Sequence, residues 1–121
     1  MVGDESLPKS GVLLSPNYPL PYPRNYDNTD TIEVAEGKTI RLQYTYFDTK
    51  AFGDYVQAVD GDGTQIMQKI SGRYGAEDLI ESGTYESNSN IVHIKFHTDN
   101  HDQMTGWRLE WSKYKVSIRA N

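Results

Sequence analysis

The stretch Ser15-Pro16-Asn17-Tyr18-Pro19-Leu20-Pro21-Tyr22-Pro23-Arg24-Asn25 constrains this chain more than any other. Four of the five prolines fall within the eight residues Pro16 to Pro23. Each proline fixes φ near −65° and removes a backbone donor, which neither a helix interior nor a central strand tolerates. The stretch must therefore cross between elements in an extended or turning conformation. Its tyrosines give it surface to bury, and its prolines lower the entropy lost on ordering, so it reads as a stiff connection and not as a disordered linker.

On either side the sequence reads as short strands. Residues 1–10 are a polar lead-in, and Gly11–Leu14 is a first strand. Asn25–Asp30 is rich in turn formers, Thr31–Val34 is a brief strand, and Ala35–Lys38 closes it. Thr39–Phe47 alternates, with Ile40, Leu42 and Tyr44 on one face and Arg41, Gln43 and Thr45 on the other, the pattern of a half-buried strand. After the loop Asp48–Asp54, Tyr55–Val59 and Thr64–Ser71 flank the tight turn Asp60-Gly61-Asp62-Gly63. Gly72–Asn90 is the least regular region, with one helical turn at Ala76–Glu81. Ile91–Phe96 and Trp107–Trp111 alternate again, and residues 113–121 carry Tyr114, Val116 and Ile118 in alternation, as an edge strand or a linker would. Short strands, frequent turns and no amphipathic helix predict an all-β sandwich of antiparallel sheets.

With 121 residues the chain makes one domain, long enough to bury about two-thirds of its unfolded surface. A modest apolar fraction of 36% alongside nine tyrosines suits strands with one wet face. No apolar run approaches the length of a membrane span, and the start, Met-Val-Gly-Asp-Glu, lacks a signal-peptide pattern, so a soluble, processed chain is expected. A net charge of −5 argues against nucleic acid as partner, because a phosphate backbone needs a concentrated cationic face. A cationic partner, presenting Lys or Arg, is the better match.

The run Gly11–Pro19 followed by Pro21-Tyr22-Pro23 resembles the opening of CUB domains, the extracellular modules of complement proteases, tolloid-like proteases, spermadhesins and cubilin. Further matches follow in order: Ile32-Glu33-Val34, Glu36-Gly37, Ile40 to Phe47-Asp48, Asp54-Tyr55-Val56, Asn90 to Phe96, Thr98-Asp99 and Gly106-Trp107. The resemblance covers residues 11–112 and implies a jelly-roll β-sandwich and a secreted, extracellular setting. It departs from the family at the cysteines, since the usual positions fall near Asn28, Ala51 and Ser71 and the chain has no Cys. Either the chain is naturally thiol-free or its cysteines have been replaced.

The resemblance also implies a calcium site at one end of the sandwich. Asp54 and Asp99 match two of its acids, Asn100 is placed to give a carbonyl, and Tyr18 matches the tyrosine that supports the first acid. Lys50 stands where that first acid, a Glu, belongs, in a loop shorter than in calcium-binding members. Two readings stay open. Asp48 swings in as a substitute ligand, so that Asp48, Asp54, Asp99 and Asn100, joined by Asp102, hold Ca2+ through their oxygens. Alternatively the Lys50 ammonium replaces the ion and pairs with Asp54 and Asp99. In complement-type members such acids also receive a lysine from the partner, so an internal lysine would pre-empt that mode.

Other motifs carry less. His93 and His97 lie on one alternating strand about 13 Å apart, too far to chelate one zinc, and His101 is in a loop. Asp60–Thr64 lacks the length and closing Glu of an EF-hand loop. Trp107 and Trp111 share a parity with Leu109 and are read as core, a sugar-stacking role being the alternative. No thiol, nucleophile elbow or acid–base pairing suggests an enzyme. The expected function is a non-catalytic module for protein–protein interaction through the end carrying Tyr18, Asp48, Lys50, Asp54, Asp99, Asn100 and Asp102. Alternatives are a spermadhesin-like glycan-binding domain and a structural module that self-associates into homo-oligomers through an added strand at 113–121.

Overall fold

The computed structural model describes residues 7–116. In chain order these form β1 (Ser10–Leu14), β2 (Asp27–Glu33), β3 (Lys38–Asp48), β4 (Tyr55–Asp60), β5 (Gln65–Ile70), β6 (Arg73–Tyr74), α1 (Ala76–Ser82), β7 (Thr84–Glu86), β8 (Ile91–His97) and β9 (Gly106–Val116). They build two antiparallel sheets, one ordered β1-β9-β3-β6 with β7 also on β3, the other β2-β8-β4-β5. This is the predicted all-β sandwich. The side-chain period of two turns Ile40, Leu42 and Tyr44 of β3 and Trp107 and Leu109 of β9 inward, against Val92, Ile94 and Phe96 of β8 and Val56 and Ala58 of β4.

Strict alternation would carry Tyr46 inward after Tyr44. Instead the β3–β9 register slips between Tyr44, opposite Leu109, and Tyr46, opposite Arg108. The extra residue is a bulge that flips the parity, so Phe47 is buried and packs edge-on against Tyr44 at 5.3 Å. Tyr44 itself is fully buried, and its hydroxyl has no hydrogen-bond partner among the described residues. A buried hydroxyl without a partner carries its full desolvation cost. Tyr44→Phe should therefore leave stability unchanged or raise it by about 1 kcal/mol, read as the urea midpoint. A loss of several kcal/mol would show that the hydroxyl has a role.

Three expectations about elements change. Asp27–Asp30 reads locally as turn, yet Asp27 pairs with His97 and the ladder runs unbroken to Glu33 opposite Ile91. Pairing with β8 overrides local propensity, and an edge strand tolerates the polar side chains. Within Gly72–Asn90, the two short strands β6 and β7 share the outer edge of β3, at Phe47–Asp48 and Arg41–Gln43, on either side of the expected helical turn α1. Lys113–Val116 prolong β9 along β3, with Val116 opposite Lys38, and so extend an existing strand in place of adding a separate one. The rest of that extension, residues 117–121, and the lead-in residues 1–6 lie outside the described residues.

The Asp60–Gly63 turn is the hairpin that the sequence predicts, with Asp60 N–H donating to Thr64 O at 2.7 Å and Gly63 at φ 92°. At the opposite end of the sandwich, the proline stretch carries the chain from β1 in one sheet to β2 in the other. It is bonded along its length to residues 98–107: Ser15 N–H to Trp107 O at 3.0 Å, Tyr22 N–H to Met104 O at 3.1 Å and Asn25 N–H to Asp99 O at 2.7 Å. Donors that the prolines lack are not needed, because the bonds use the residues between them.

Candidate functional site

The crossing segment, the loop 49–54 and the loop 98–105 meet at that end. Buried Thr98 staples two of them. Its hydroxyl donates to Pro23 O at 2.9 Å and accepts from Tyr26 N–H at 2.8 Å. Reciprocal backbone bonds between Thr49 and Gly72, 2.8 and 3.1 Å, fix the base of the loop 49–54.

Asp54 sits at the centre and is 1% exposed. One carboxylate oxygen accepts from the Tyr22 hydroxyl at 2.5 Å, the other from Asp99 N–H at 2.8 Å. The Tyr22 hydroxyl also accepts from Lys50 N–H at 3.1 Å. Burial, then the bond to Asp54, pushes the Tyr22 phenol well above its ordinary value, so it stays a donor. Tyr22 thus joins all three loops, while its ring packs edge-on against Phe96 at 5.0 Å.

Above Asp54 the Lys50 ammonium pairs with Asp99 Oδ2, and His101 N–H donates to Asp99 Oδ1 at 3.2 Å. Gly53 makes this close approach possible. A Cβ there would collide with the Asp99 carboxylate and lie 2.7 Å from Lys50 Cε. The hydrogen bond from Lys50 holds the Asp99 carboxyl below its ordinary value near 3.8, ahead of a smaller opposing effect of desolvation. A depressed carboxylate stabilises the fold above its unfolded value and loses that contribution as pH falls through the folded value. The melting midpoint should therefore fall below about pH 4 more steeply in the wild type than in Lys50→Met. Parallel pH profiles for the two proteins would contradict this ion pair.

Of the residues read from the sequence, the structure gathers Lys50, Asp54 and Asp99. Asp48 ends β3 and takes a hydrogen bond from the Thr105 hydroxyl at 3.3 Å, with Thr105 in turn bonded to the Tyr46 hydroxyl at 2.5 Å. Asn100 Oδ1 bonds His101 Nδ1 at 2.8 Å, and Asp102 is exposed at φ 63°. Tyr18 packs edge-on against Tyr46 at 5.4 Å, and the tyrosine bonded to Asp54 is Tyr22. Tyr22 lies in the same aperiodic run as Tyr18, and no spacing in that run separates them. Phe52 and Gly53 were also missed. The only signal was a glycine directly before Asp54.

A calcium ion takes six to eight oxygens, and in this arrangement the acids serve protein donors: both Asp54 oxygens accept hydrogen bonds, Asp99 holds the Lys50 ammonium and Asp48 turns to Thr105. Among the described residues no three His, Cys, Asp or Glu side chains form a metal-holding group. The histidines have separate partners, His93 with Thr31 at 3.0 Å and His97 with Asp27 at 2.6 Å. Trp107 is buried, and Trp111 is half-buried with its indole against Gly11, where a Cβ would lie 2.8 Å from the ring.

The CUB domain profile matches residues 3–111. The chain is 33% identical over 104 residues to human mannan-binding lectin serine protease 1, covering 85% of this chain and 15% of that protein. It is 32% identical over 108 residues to the zinc metalloproteinase nas-39 of Caenorhabditis elegans, covering 85% and 12%. The chain thus spans a small fraction of the length of these relatives. Among solved structures, the CUB1-EGF-CUB2 domain of human MASP-1/3 superposes with a TM-score of 0.78 at 24% identity, covering 90% of this chain and 43% of that one. The MASP-1 CUB2 domain, in a structure bound to Ca2+, superposes with a TM-score of 0.75 at 26% identity, covering 88% and 94%. With the sandwich and its order of motifs, these matches show that the chain belongs to the CUB domain family.

Proposed function

We propose that this chain is a non-catalytic recognition module of an extracellular protein, which contacts a protein partner through the end built by loops 15–26, 49–54 and 98–105. Lys50 is the internal cation of that end, in place of a metal. The observation that carries this reading is Phe52. It stands 100% exposed at the tip of loop 49–54, with φ 64°. A bulky residue in the left-handed region is strained, and an exposed ring returns nothing to folding in exchange. Aromatic side chains held out in this way act as anchors for a partner's pocket. Leu20, 67% exposed, and Met104, 36% exposed, lie in the two loops bonded to each other at Tyr22 and add apolar surface. Asp99 is already matched by Lys50, so the exposed Asp102 gives the acidic rim, and the partner presents an apolar pocket with a Lys or Arg beside it. The relatives that are proteases support an extracellular setting, and the module matches only a small part of them.

The test probes an array of secreted and cell-surface proteins with the wild type and Phe52→Ser, in calcium and in chelator. Binding to a protein that weakens at least tenfold in Phe52→Ser and is indifferent to chelator is the expected result. Binding that disappears in chelator, with a calcium-raised melting midpoint, would overturn the lysine reading. Retention on a glycan array in place of the protein array would favour the carbohydrate alternative.

A further inference from the structure

We infer that the outer edge of β1 is a self-association surface, on which two copies of this chain pair β1 with β1 about a two-fold axis at Val12. β1 ends its sheet, with β9 on one side. Lys113 N–H donates to Lys9 O at 2.7 Å and Ser15 N–H to Trp107 O at 3.0 Å, which fixes the odd-numbered residues as those bonded to β9. In an antiparallel pair the bonding positions alternate, so Ser10, Val12 and Leu14 turn their N–H and C=O groups outward. Among the described residues no strand pairs with this edge.

Edges are normally guarded by charge, proline or a bulge. Ser10-Gly11-Val12-Leu13-Leu14 has no charged residue and no proline, and its register with β9 is unbroken. Val12 and Leu14 are each 47% exposed on the outer face. The occupant is a second copy, because this edge is complementary to itself. Antiparallel pairing of β1 with itself, Val12 opposite Val12 and Ser10 opposite Leu14, uses all three outward positions as hydrogen-bonded pairs, whereas a shift of two residues either way loses one of them. The same register sets Val12 and Leu14 of each copy beside those of the other, closing one apolar cluster across the seam. Lys9 falls opposite Ser15, so no like charges face each other despite a net charge of −5 per chain.

Sedimentation velocity of the full chain over a range from low to high micromolar concentration reads the association. The wild type should dimerise with concentration. Val12→Lys, which sets two ammonium groups face to face on the axis, should weaken the dimer at least tenfold and leave the melting midpoint nearly unchanged. The chain has no cysteine, so Val12→Cys offers a single thiol per copy. On oxidation it should cross-link faster than Thr45→Cys, which lies on the same face of the sheet but away from the edge. A wild type that stays monomeric, a Val12→Lys protein that dimerises like the wild type, or equal cross-linking at the two positions would each overturn the proposal. So would a dimer abolished by Phe52→Ser and untouched by Val12→Lys, which would move the contact to the loop end.

Discussion

Replacing Asp54 by alanine will cost about 3–5 kcal/mol, because two hydrogen bonds to a buried carboxylate are worth about 1.5–3 kcal/mol each. The change leaves the Tyr22 hydroxyl and the Asp99 N–H facing an apolar gap, and both lie where three loops meet. In a domain of this size the melting midpoint should drop by about 10–20 °C. Asp54→Asn should recover part of the loss. An amide has one acceptor oxygen, so one of the two donors still meets an NH2 group. Adding Tyr22→Phe to Asp54→Ala should cost little more, since the pair acts as a unit and its effects do not add. A loss below 1 kcal/mol for Asp54→Ala would mean that the loops are held by other contacts.

The second large effect is at Gly106, which has φ 94° and opens β9. A Cβ there would overlap the Ser15 hydroxyl and lie 2.8 Å from Ser15 Cβ. That hydroxyl accepts the N–H of Trp107 at 2.9 Å, a bond buried at the start of the crossing segment. Gly106→Ala must therefore strain the backbone and push Ser15 off this donor, for about 2–4 kcal/mol in a denaturant titration followed by tryptophan fluorescence. Ser15→Gly in the same chain removes the overlap but not the strain, so it should restore some stability and not all of it. Full tolerance of alanine would sink this account of the Gly106-Trp107 motif.

What was legible in the sequence follows from burial on one face. Every second residue is buried from Ile40 to Tyr44 and from Val92 to Phe96, so Ile40, Leu42, Tyr44, Val92, Ile94 and Phe96 carry the record of the core in their spacing. The proline run and the Asp60–Gly63 turn were legible because their backbone limits are local. The bulge that turns Phe47 inward is not local, since it is set by how β9 lies against β3. β2 begins in a run of turn formers because β8 offers it a ladder, and the two-residue β6 is too short to carry a pattern.

The candidate site divides the same way. The sequence alone determined the fold class, the three loops and the conflict between Lys50 and the acids at positions 54 and 99, because residue identity fixes charge and donor inventory. Only the tertiary structure decided that Tyr22, not Tyr18, bonds Asp54, that Asp48 turns to Thr105, and that Lys50 closes on Asp99 over a glycine with no room for a side chain. It also decided that Lys113–Val116 prolong β9 and that β1 ends its sheet. Contacts between loops far apart in sequence depend on how two sheets stack, and no spacing along one chain encodes that.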